Sequence, residues 1–138
     1  MASIIDFLEA RIAEDDAVAR AAGTDALEWR SFSGSVQGGP FIEPDPEWAE
    51  EDDEAYGSVR IVYDEGAPSP AGASHIARWD PARVLAECAA KRAIAGLHKV
   101  GADQCDEHNA MFESIPCSTI RALAAVYKDH PDYQQEWA

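Results

Sequence analysis

A chain of 138 residues fits one domain spanning 1–138, long enough to bury a core and short enough that a metal staple adds useful stability. Its 11 Lys and Arg against 26 Asp and Glu give a formal net charge of -15, which repels phosphate backbones and anionic headgroups and disfavours direct binding to nucleic acid or membrane. No apolar run approaches bilayer length, and the opening MASIIDFLEARIAEDD carries acids where a secretion signal needs a basic region, so the expected compartment is the cytoplasm.

The first predicted element is a helix from Ser3 to about Ala22. Ile5, Leu8 and Ile12 share one face with Ile4 beside them, Ser3 and Asp6 form a capping-box-like pair, and the Ala-Ala-Gly run at Gly23 closes the helix. Residues 27–36 (LEWRSFSGSV) and 58–63 (SVRIVY) turn to β-branched and aromatic types and are predicted as strands. Between them an acidic loop over about 38–57 carries Glu43, Asp45, Glu47, Glu50, Glu51, Asp52, Asp53 and Glu54 with no Lys or Arg, and self-repulsion favours exposure. Residues 67–73 (APSPAGA) have the composition of a turn or linker.

The next helix has a strong start. Asp80 is the cap, Pro81 takes the first helical position, Trp79 can staple onto Val84 or Leu85, and the helix should run to about His98. Val84, Leu85 and Cys88 lie on one side of it and Ile94 and Leu97 well round the wheel, which predicts packing on more than one side. A last helix follows Pro116-Cys117, capped by Ser118 or Thr119. It carries Ile120, Leu123, Ala124 and Tyr127 on one face and ends at His130-Pro131.

The stretch from His98 to Cys117 holds the chemistry. Written H-x6-C-x2-H-x8-C, it gathers two of the three cysteines and two of the four histidines between two helices, and all four side chains bind zinc through sulfur or imidazole nitrogen. Cys105 and His108 can approach one ion from a tight turn, and Cys117 stands before a helix N-terminus, whose positive end favours the thiolate. His98 closes the tetrahedron by position, with Asp106, Glu107 or Glu113 as oxygen alternatives and Cys88, otherwise the spare thiol, as a further one only if its helix face turns inward. The plain alternative makes Cys105 and Cys117 small core residues and His108 a surface one. A closed set of four would be structural, whereas three ligands would leave a position suited to hydrolysis.

At HIARWDPARVLAECAAKR and PCSTIRALAAVYKDHPDYQQEW the chain resembles a family of short, acidic, uncharacterised proteins from actinobacteria and their bacteriophages. The resemblance is loose over the N-terminal helix and close over residues 75–137, and it implies no activity. The family's C-x2-C matches Cys105 and His108, and the cysteine of its P-C-x-T matches Cys117. His108 thus stands where the family has a second cysteine, a replacement that preserves zinc ligation.

Outside that stretch, His75, Arg78 and Asp80 form a polar group before a helix, but capping and local hydrogen bonding account for them better than general-base chemistry. His130, Asp129 and Asp132 surround a proline turn and mark a chain end docked by Tyr133 and Trp137. No nucleophile elbow, phosphate-cradling loop or HExxH helix is present. The expected fold is α+β: an N-terminal helix, a small antiparallel sheet of two to three strands, and two helices joined by a metal-binding loop. A mostly helical bundle with a β-hairpin is the runner-up. Trp29, Trp79 and Trp137 are expected in or near the core and Trp48 more exposed. The expected role is a zinc-stabilised interaction or regulatory module. Its acidic loop, with Trp48, Glu50, Glu51, Asp52 and Asp53, would meet a basic protein partner, in its sharpest form by mimicking DNA phosphates. A zinc-dependent hydrolase with an open metal site is the alternative.

Overall fold

The computed structural model describes residues 3–32, 35–39, 59–62, 68–98, 100–101, 104–105 and 116–138. Among them four helices and five strands run in the order α1 (Ile4–Ala22), β1 (Trp29–Phe32), β2 (Ser35–Gly38), β3 (Val59–Val62), α2 (Pro70–Arg78), α3 (Pro81–Leu97), β4 (Val100–Gly101), β5 (Gln104–Cys105) and α4 (Ser118–Ala124). Single 3-10 turns follow at Ala125–Tyr127 and Gln135–Trp137. The architecture is α+β, with the N-terminal helix first and a three-stranded antiparallel sheet in the order β1-β2-β3. No helix among the described residues is long and apolar enough to cross a membrane. The chain divides into two compact units: residues 1–16 with 86–138, and residues 17–85.

In the first unit the capping box forms as the sequence predicts. The Asp6 amide donates to Ser3 Oγ at 3.1 Å, and the Ser3 amide and hydroxyl donate to Asp6 Oδ2 at 3.0 and 2.8 Å. The hydroxyl and amide of Ser3 hold the Asp6 carboxyl below its ordinary value. Ile4, Phe7, Leu8 and Ile12 are buried at helical spacing, whereas Ile5 is only half-buried; Phe7 takes the core position. Around it gather Ala95 of α3, Cys117, Ile120 and Ala124 at and in α4, and Tyr133 and Trp137 beyond. The Phe7 ring lies 5.1 Å from Trp137 and 5.9 Å from Tyr133, centroid to centroid, and Tyr133 meets Trp137 edge-on at 5.5 Å. The short second sheet, β4 with β5, pairs Val100 with Cys105 and Gly101 with Gln104.

In the second unit, residues 27–36 form a hairpin rather than one strand. Trp29 pairs with Gly38 and Phe32 with Ser35 in antiparallel register, so the run holds two paired strands. β2 lies between β1 and β3, which explains why Val36 and Gln37 are buried. Gly38 is required by close approach: a β-carbon there would fall 2.5 Å from that of Ala26. Residues 70–78, read as linker and helix approach, form α2. Ser69 Oγ accepts from the Gly72 amide at 3.2 Å and Pro70 opens the helix, a cap-plus-proline start hidden in a Pro/Gly-rich stretch. α2 packs on β1 and β2 with Ala73 fully buried.

α3 starts as expected, with Asp80 Oδ1 accepting from the Arg83 amide at 2.8 Å. Trp79, however, is 43% exposed, because the Arg83 guanidinium covers its ring at 4.1 Å instead of Val84 or Leu85 drawing it inward. Trp29 is half-buried and Trp137 buried. Cys88 and Ala95 are the buried positions of α3 after Pro81, while Ile94 and Leu97 are exposed, so that side of the helix does not pack as the wheel suggested.

Candidate metal centre

α3 ends at Leu97, so His98 is the first residue beyond it, and α4 opens at Ser118 with Cys117 rather than Ser118 or Thr119 in the cap position. A serine or aspartate there would accept a backbone hydrogen bond, but the Cys117 side chain makes no such bond. Its sulfur lies 3.7 Å from Nδ1 of His98. Zinc bonds of about 2.3 Å to sulfur and about 2.0 Å to nitrogen at a tetrahedral angle give a ligand-to-ligand edge of about 3.5 Å. The approach of these two candidate ligands is that of a sulfur–imidazole hydrogen bond, and it is also close to one coordination edge. Cys117 is 1% exposed and His98 half-buried.

The β4–β5 pairing places the backbone of Cys105 across from Val100, two residues beyond His98. The side chain of Cys105, all of His108, and the oxygen alternatives Asp106, Glu107 and Glu113 lie outside the described residues. So do the acidic run and Trp48, Glu50, Glu51, Asp52 and Asp53. Among the described residues no group of three or more His, Cys, Asp or Glu side chains is placed to hold a metal ion. The donors that fit, a thiol and an imidazole, are those that select zinc over magnesium or calcium.

Cys88, the third cysteine, is buried on α3 as a free thiol. Burial pushes its ionisation up, the Asp15 carboxylate pushes it further, and the nearby Lys91 opposes them. It is a buried core residue whose thiol holds its proton.

A second polar group, absent from the sequence reading, lies in the same unit. The Tyr127 hydroxyl donates to Asp15 Oδ2 at 2.6 Å, and Lys91 Nζ donates to the same hydroxyl at 3.2 Å while lying 5.3 Å from the ring centroid. Burial first, then the Asp15 hydrogen bond and charge, hold the phenol proton on well above its ordinary range. Beside it Arg92 Nη1 donates to Asp16 Oδ2 at 2.8 Å, and Arg11 Nη1 contacts His130 Nε2. The available signal was Asp15 on the helical face of Ile4, Leu8 and Ile12, where a carboxylate needs a partner. These groups hold one another. In the other unit, His75 lies exposed against Trp79 at 6.3 Å between centroids, and Asp80 is occupied in capping, as the sequence suggested.

A small, strongly acidic α+β protein with a cysteine–histidine pair between its last two α-helices is the class these features define. The chain belongs to a family of unknown function (DUF6221), which it matches over residues 1–138. No curated protein and no solved structure matches it.

Proposed function

We propose that the protein is a zinc-stapled interaction module, with His98, Cys105, His108 and Cys117 around one structural ion and the acidic surface as its working face. The observation that carries the zinc part is the 3.7 Å approach of Cys117 Sγ to His98 Nδ1, close to the edge length of a tetrahedral zinc site. Register supports Cys105 as the third ligand, because β5 returns it opposite Val100. His108 follows from its spacing to Cys105.

Burial supports a structural ion over a hydrolytic one. Cys117 Sγ belongs to the cluster that also holds Phe7, Ile120 and Trp137, and a ligand seated in a core serves stability. The energy involved is large. Structural zinc contributes an apparent 10–16 kcal/mol, as an order of magnitude, in small metal-folded peptides. That compares with roughly 5–15 kcal/mol for the whole stability of a typical domain.

The interaction part rests on the formal net charge of -15 and on the run from Glu43 to Glu54, which suit a basic protein partner and speed its encounter at low salt. Elemental mass spectrometry on untagged protein tests the zinc reading. About one zinc per chain, lost in both Cys105→Ser and Cys117→Ser, is the expected result; native protein without zinc overturns it. For the acidic face, changing Glu50 and Glu51 to Gln and Asp52 and Asp53 to Asn should weaken partner capture with the fold intact, and unchanged capture removes it.

A further inference from the structure

We propose that residues 117–138 form an arm whose docking is gated by the metal, so that zinc loss releases this segment as a unit while the rest of α3 stays folded. The proposal rests on the zinc reading above and assigns that site a regulatory consequence.

The arm has little structure of its own to fall back on. α4 is seven residues long and is followed by two single 3-10 turns, and helices this short do not persist without tertiary packing. What orders the arm is docking: Ile120, Ala124, Tyr133 and Trp137 are buried in one cluster with Ile4, Phe7 and Leu8 of α1.

Cys117 is the hinge point of that arrangement in three ways. It fills part of the same cluster at 1% exposure. Its carbonyl accepts the Arg121 amide at 3.0 Å and so opens α4. Its sulfur faces His98, which follows directly on α3. An ion bridging that sulfur and imidazole pins the first residue of the arm to the end of α3, closing the intervening 18 residues (99–116) into a short loop. Without the ion, docking must bear the entropy of closing that loop unaided. The remaining holds are the buried Ile120, Ala124, Tyr133 and Trp137 and three part-buried polar contacts, Tyr127 with Asp15 and with Lys91 and His130 with Arg11. Because its helical pieces are so short, the segment opens at lower free energy than the long helices that receive it once the ion no longer pins its first residue. When it opens, the Ile4, Phe7 and Leu8 face of α1 loses its cover.

Hydrogen exchange read by mass spectrometry on zinc-loaded and EDTA-treated protein tests this, with metal content measured on the same samples. The expected result is at least a tenfold faster exchange across residues 118–137 after zinc removal, with residues 84–94 unchanged. Cys117→Ala, which keeps an apolar filler, and His98→Gln, which lies outside the buried cluster, should give the same pattern without chelator. Zinc bound and removable with no change in the arm overturns the gate and leaves the staple standing. Equal loss of protection along the whole chain also overturns it, because the ion then holds the entire fold. A chain that takes up no zinc removes the staple and the gate together.

Discussion

Two helix junctions in this molecule use similar residues to different ends. At the α2–α3 corner the polar side chains serve the fold: Ser69 caps α2, Asp80 caps α3 and also accepts from the Trp29 amide at 3.1 Å, and Arg83 covers Trp79. His75, the residue there with the best chemical credentials, merely leans on an indole. At the junction between α3 and α4 the cap position is given to a cysteine that does no capping and aims its sulfur at an imidazole. A helix start that forgoes a hydrogen bond worth about 1 kcal/mol is a better pointer to a site than a cluster of titratable residues.

His98→Gln tests that contrast most severely. It should abolish zinc binding and lower stability by several kcal/mol, on the scale of metal-coupled folding. Asp80→Ala at the other junction should leave zinc content untouched, and equal metal loss in both variants would erase the distinction.

Trp137→Ala comes next, at about 3–5 kcal/mol for truncating a buried aromatic. Chemical denaturation would show it, and a loss below about 1 kcal/mol would mean the C-terminal turn contributes little to the core.

Tyr127→Phe should cost about 1.5–3 kcal/mol through the charge-assisted bond to Asp15. It also carries a pH signature. The folded phenol holds its proton above the ordinary value near 10, so its stabilisation is complete below about pH 10 and is lost as pH rises beyond, where the unfolded chain ionises first. Urea midpoints taken between about pH 9 and 11 should fall in the native protein more steeply than in the Phe variant. Parallel curves would show that the pair is not held in solution.

Asp80→Ala itself should be the smallest effect, about 1–2 kcal/mol by loss of the cap, read from a thermal midpoint.

How much of this was legible in the sequence depended on whether the signal was local. Ser3 with Asp6 and Asp80 with Pro81 announced their helices because a cap and its partner are three residues apart or fewer. α2 carries the same kind of start at Ser69-Pro70, but Pro68 and Gly72 around it have loop composition and concealed it. The β1–β2 pair was read as one strand because both strands lie in a continuous run of strand-forming types. Phe7 and Asp15 escaped notice because their partners, Trp137 and Tyr127, lie more than a hundred residues away. Trp79 was misplaced because burial is only one way to satisfy an indole, and Arg83 one turn on supplied the other. Of the four ligands proposed from spacing, the structure brings His98 and Cys117 together, while His108 and the side chain of Cys105 lie outside the described residues.

The doubly used carboxylate of Asp80 has a consequence for the order of folding. Its bond to the Arg83 amide closes a single helical turn, whereas its bond to the Trp29 amide spans 51 positions of chain. Local contacts form first and distant ones wait for the loop between them to close, so one side chain starts the helix early and then receives the first strand. In a kinetic mutational series this single residue would report on both ends of the reaction coordinate. The strand-side share of its energy would appear in the unfolding rate and the helix-side share in the folding rate.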